Sequence, residues 1–193
     1  MLNLKKRKMK RIQRIFLLTI TISIIACGQS QEGITKKKTE ESTEWQSLSE
    51  DKFEISHPSN WTINKSGQMG MSFSLTSPLS NTSDKFRENV NLIIQDLTGY
   101  DLDLDKYVEL SVGQIKTLVI NGKIISNKRQ KNDNQEYQKT IYTGKQGMYD
   151  LKFEQYYWVI DNKAFLLTLT CEEKRFNSYQ TTGERILNSF KLK

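Results

Sequence analysis

Regular alternation of hydrophobic and polar positions begins only after residue 44. Met71, Phe73 and Leu75 alternate with Ser72, Ser74 and Thr76, which predicts a half-buried strand over residues 71–76. Residues 53–56 predict a short strand that His57-Pro58 should stop, because proline offers a ladder no N–H. Residues 61–63 resume the extended pattern, and residues 78–84 form a polar loop. In residues 90–97, Leu92, Ile93 and Ile94 stand in succession, as in a strand covered on both faces. The period then changes. Leu104, Tyr107, Val108, Ser111, Ile115 and Leu118 recur at helical spacing, with Asp101 or Asp103 placed to cap the helix. Asn121-Gly122 signals a turn. Residues 123–130, 137–143, 149–160 and 164–171 read as strands, the last two joined by a tight hairpin at Asp161-Asn162-Lys163. Phe176, Tyr179, Ile186, Leu187 and Phe190 make a closing helix, weakened in its middle by Gly183.

Strands, a helix, more strands and a terminal helix predict an α+β domain, an antiparallel β-sheet flanked by helices. Residues 45–193 are enough for one core.

The first 44 residues follow other rules. Seven basic residues lie between Lys5 and Arg14, and residues 15–26 are apolar or hydroxylated throughout. Twelve such residues fall short of the ~20 that span a bilayer, so the segment predicts an export signal. Ile24-Ile-Ala-Cys27 closes it and resembles the lipobox of bacterial lipoproteins. That resemblance implies a signal peptide over residues 1–26, lipid attachment at Cys27 and a place in the cell envelope, outside the cytoplasm. Ile24 departs mildly from the leucine that the pattern prefers. Residues 27–44 hold no aromatic and one large aliphatic, Ile34, and so predict a flexible tether. The leader also changes the charge balance. Of 29 basic and 22 acidic residues, it holds seven basic and no acidic ones, so the remainder carries 22 of each. A neutral mature chain argues against a nucleic-acid partner.

Three local patterns are family-like: Phe53-x-Ile55-x-x-Pro58-x-x-Trp61, the hairpin over residues 157–170, and the terminal Ile186-Leu-Asn-Ser-Phe190. Together they resemble the PsbP-like group and its DcrB-like relatives. The resemblance implies an α/β/α sandwich around an antiparallel sheet. It implies no catalysis, and a photosynthetic role does not transfer.

Chemistry-bearing residues are sparse. His57 is the single histidine, and no nucleophile elbow accompanies it. Asp101, Asp103, Asp105 and Glu109 lack the glycine and glutamate of a calcium loop. Cys171 shares a strand face with Phe165, Leu167 and Leu169 and reads as a buried thiol. No residue set calls for a cofactor or metal. Along residues 149–160, Leu151, Phe153, Tyr157 and Val159 share one face, and Lys152, Glu154, Tyr156 and Trp158 the other. Either a helix covers Tyr156 and Trp158, or they are exposed anchors for a protein partner. The expected role is non-enzymatic binding or support through protein–protein contact. The rivals are a chaperone or immunity-type partner of an exported protein, and an envelope hydrolase.

Overall fold

The alternating and helical patterns assemble into two packed sheets and two helices in a computed structural model that describes residues 44–132 and 135–193. The expected leader, Cys27 and nearly all of the tether lie outside the described residues. The strands are β1 (Trp45–Ser49), β2 (Phe53–Pro58), β3 (Thr62–Asn64), β4 (Met71–Thr76), β5 (Asn89–Asp96), β6 (Ile120–Lys131), β7 (Glu136–Gln146), β8 (Tyr149–Ile160), β9 (Lys163–Glu172) and β10 (Lys191–Leu192). Helix α1 (Leu104–Leu118) follows β5, and helix α2 (Phe176–Asn188) follows β9.

Seven strands form an antiparallel sheet in the order β3-β4-β5-β9-β8-β7-β6. Helix α1 carries the chain from β5 to the far edge, and β6 to β9 return as a meander until β9 pairs with β5. The last hairpin turns through Asp161 and Asn162, both at positive φ (49° and 56°). That conformation matches the twist of the flanking strands. Helix α1 packs Tyr107, Val108 and Ile115 on one sheet face. The other face meets α2 and a smaller sheet of order β1-β2-β10. Two helices thus flank the main sheet as expected, with the small sheet added on the α2 side.

Several boundaries differ from the sequence expectation, for physical reasons. Strand β2 runs on through His57 and Pro58, and Pro58 lies opposite Trp45 of β1. There β2 has a partner on one side only, since β10 reaches just Glu54 and Phe53, so the missing N–H breaks no ladder. Asn121-Gly122 does turn the chain, with Asn121 at φ 56° and the Gly122 N–H donating to the Val119 carbonyl at 2.9 Å. Yet it forms a bulge inside β6, because Ile120 already pairs with Lys145. A Cβ at Gly122 would lie 2.2 Å from the Ile115 carbonyl oxygen, so the bulge passes too close to α1 for any side chain. Asp103, not Asp101, caps α1, accepting from the Lys106 N–H at 2.8 Å.

Candidate functional site

Tyr156 and Trp158 are each only 2% exposed, which corrects the expectation that they form a contact surface. The helical covering foreseen as the alternative is what occurs, with the small sheet completing it. Trp158 stacks on Tyr137 of β7 (5.3 Å between centroids) and meets Phe190, just beyond α2, at 5.1 Å. Phe190 in turn meets Phe53 of β2 at 5.7 Å, and Phe53 meets Phe73 of β4 at 5.4 Å. This aromatic layer fastens the small sheet to the main one. Period two had assigned the right residues to the right face; only the element above that face was missing from the local pattern.

The same face buries a charged cluster. Glu154 is wholly buried and lies 2.7 Å from Lys139 Nζ, which also pairs with Glu184 of α2 at 3.1 Å. The Tyr156 hydroxyl stands 3.2 Å from Glu154 Oε1 and 3.1 Å from Asn188 Oδ1. Burial raises the Glu154 carboxyl above its ordinary value and outweighs the opposing pull of Lys139. For Lys139 burial works downward, but Glu154 and Glu184 together push the ammonium above its ordinary value.

A second cluster surrounds Arg175 at the start of α2. It pairs with Asp84, sits 3.5 Å from buried Glu88, and donates to the Tyr179 hydroxyl at 3.0 Å. Asp84 also accepts from the Ser80 N–H at 3.0 Å and the Ser80 hydroxyl at 2.9 Å. Although burial opposes it, these donors hold the Asp84 carboxyl well below the usual carboxylate range. Burial raises the Glu88 carboxyl. Both clusters tie elements together: the first joins β7, β8 and α2, the second fastens the β4–β5 loop to α2. Local sequence pattern gave little sign of either, beyond Glu154 lying in an apolar strand.

The other candidates are structural. His57 is buried, with Nδ1 2.9 Å from the Pro58 carbonyl oxygen. Cys171 is buried and unpaired among Leu167 and Leu169, and burial pushes its thiol well above the ordinary range. Lys106 lies 3.7 Å from Asp101 and 3.6 Å from Asp103, while Asp105 pairs with Arg129. Among the described residues no three His, Cys, Asp or Glu side chains stand together as metal ligands. An open cleft of about 370 Å³ is lined by Glu50, Asp51, Lys52, Phe53, Lys65 and Ser72, and the Lys65–Glu50 ion pair (2.8 Å) lies in its wall. No helix of the described residues is long and apolar enough to cross a membrane.

No protein-family model and no curated protein matches the chain. Solved structures do. The chain is similar to cyanobacterial PsbP (CyanoP) from Synechocystis sp. PCC 6803, with TM-score 0.58 and 14% identity, covering 83% of this chain and 99% of that one. It is similar to LpqN, involved in cell envelope biogenesis of Mycobacterium tuberculosis, with TM-score 0.60 and 11% identity, covering 79% and 92%. A Pseudomonas aeruginosa protein of unknown function matches at TM-score 0.52 and 13% identity, covering 75% and 94%. The fold is therefore PsbP-like, an α+β arrangement of antiparallel sheets with two helices.

Proposed function

We propose that this chain is a lipid-anchored cell-envelope protein whose PsbP-like domain binds or supports another envelope protein without catalysing a reaction. In this reading residues 1–26 are a signal peptide, Cys27 carries the lipid, and residues 27–44 tether the domain over residues 45–193. The observation that carries the non-catalytic part is the use of the buried ionisable groups. Glu154, Glu88 and Asp84 each face a cation that joins secondary-structure elements, and none lines the cleft beside Lys65 and Ser72. The envelope part is supported by Ile24-Ile-Ala-Cys27 and by likeness of fold to a protein of envelope biogenesis. Two or more acyl chains hold a protein on a bilayer firmly where one chain does not.

Two measurements test the reading. Intact-mass analysis of the membrane-extracted chain should show an acylated Cys27 as the first residue, and Cys27→Ser should abolish that species. An unmodified Cys27 in the wild type refutes the anchor. Photo-crosslinking from exposed β6 positions in native membranes, followed by mass spectrometry, should return one dominant protein partner. Crosslinks spread evenly over abundant envelope proteins refute the binding role.

A further inference from the structure

One end of the seven-stranded sheet differs from the rest of the surface. There β3, β5, β6 and β8 start and β4, β7 and β9 finish. Exposed there are Leu79, Leu118 at the end of α1, Ile120 (63%) at the start of β6 and Met148 (79%). Ile120 and Met148 lie at the same corner of the sheet, since Ile120 is opposite Lys145 and Met148 occupies the next turn, between β7 and β8. Of the other two exposed large hydrophobic residues among those described, Ile63 lies on β3 one residue from this end and Ile125 along β6. None lies at the opposite end.

Exposed lysines accompany the apolar residues. Lys85, Lys116 and Lys145 are exposed at the apolar end, with no ion pair among the described residues. The acids near them are largely engaged: Asp84 and Glu88 face Arg175 inside the fold, and Glu172 pairs with Lys174. Asp150 and Glu173 are the exceptions. The opposite end is mixed in charge: Lys131 and Lys163 stand there beside Glu136, Asp96, Asp101 and Asp161, with no exposed large hydrophobic side chain among the described residues. Isolated surface apolar groups need no explanation, but several gathered at one end among unpaired lysines form an amphipathic patch. The chain also joins the domain near this end. The Glu44 carbonyl accepts from the Ser59 N–H at 2.8 Å, and Ser59 is three residues from Thr62, which lies opposite Thr76. Three residues reach at most about 10 Å.

We propose that this end rests on an anionic lipid surface. Met148, Ile120 and Leu118 enter the headgroup–acyl boundary, and Lys85, Lys116 and Lys145 face the lipid phosphates. Basic residues near an anionic bilayer attract it within about one Debye length, and apolar side chains add burial, as at other interfacial surfaces. A domain with little net charge thereby acquires a preferred orientation, with the Asp161 hairpin pointing away from the bilayer. The proposal goes beyond anchoring at Cys27, because the anchor alone leaves every face free to approach the membrane.

The test uses the full lipidated chain in vesicles of 30% phosphatidylglycerol in phosphatidylcholine, or of phosphatidylcholine alone. An environment-sensitive fluorophore is attached at Met148→Cys or, as control, at Asp161→Cys; Cys171 is buried and does not compete. The label at 148 should shift to the blue and be quenched by nitroxide lipid in the anionic vesicles only. The label at 161 should not respond. Half-molar salt, or charge reversal by Lys85→Glu, Lys116→Glu and Lys145→Glu together, should abolish the response. Flotation of the chain with its 148 label still in water overturns the docking and leaves the anchor standing. Failure to float with anionic vesicles overturns both. A Cys27→Ser chain that floats with anionic vesicles and still shifts its 148 label supports the docking, and the mass of the wild-type Cys27 decides the anchor separately.

Discussion

Lys139→Met is predicted to be among the most damaging single changes on this domain, although Lys139 is itself about a quarter exposed. Its Nζ lies 2.7 Å from a carboxylate with no exposed surface. At an effective dielectric of about 20, a pair at that distance is worth about 6 kcal/mol before desolvation is counted. Removing the cation leaves the Glu154 charge buried with only the Tyr156 hydroxyl near it, and such losses amount to about 3–5 kcal/mol. A domain of this size holds only ~5–15 kcal/mol in total. The pH dependence has a definite sign. Burial puts the Glu154 carboxyl above its unfolded value, so between the two values the folded state holds the extra proton. Stability is then lost as pH rises through that window. Lys139→Met widens the window, and its deficit should be largest at pH 7 and shrink as pH falls toward about 4.3, the unfolded glutamate value. Urea unfolding with linear extrapolation at pH 7 and pH 4.5 measures both quantities. The double variant Glu154→Met/Lys139→Met should recover most of the loss, because apolar side chains of similar volume replace a buried pair at little cost. A loss under about 1 kcal/mol at pH 7, or a double variant as unstable as the two single losses added, would refute the reasoning.

Three further outcomes follow from packing. Trp158→Ala should lose about 3–5 kcal/mol in the same assay, as core aromatic truncations do, and an unchanged midpoint would restore the side chain as a surface group. Cys171→Ala should cost on the order of 1 kcal/mol, and the native thiol should react with a thiol reagent far more slowly than in the unfolded chain. Gly183→Ala should destabilise despite a helix-propensity gain of about 1 kcal/mol. Its Cβ would lie 2.4 Å from one methyl of buried Leu169 and 3.0 Å from the other, and overpacking costs about 1–3 kcal/mol. A rise in melting temperature would show that β9 yields there.

Period two and period 3.6 were enough to find each long element, because the faces of a strand or helix are written in consecutive residues. They placed Met71–Thr76 and Tyr149–Ile160 to the residue and read α1 and α2 from their stripes. They sorted Tyr156 and Trp158 onto the correct face of β8. Composition sets residues 1–44 apart from the rest, and the seven basic residues near the start account for the basicity of the whole chain. What lies above a face is not a local property. Phe190 and Asn188 reach the β8 aromatics from a distant part of the chain, with Phe53 packed behind Phe190, so only the tertiary structure could decide that this face is core. The same holds for Gly183. Read locally it is a helix defect; packed on β9 it is the contact that lets α2 approach Leu169. The apolar end of the sheet is another such feature, since Leu79, Leu118 and Met148 come to the same end only through antiparallel pairing of distant strands. A sequence determines which residues share a face, because that follows from backbone geometry. The tertiary structure decides which faces meet, because that depends on long-range burial that no short window contains.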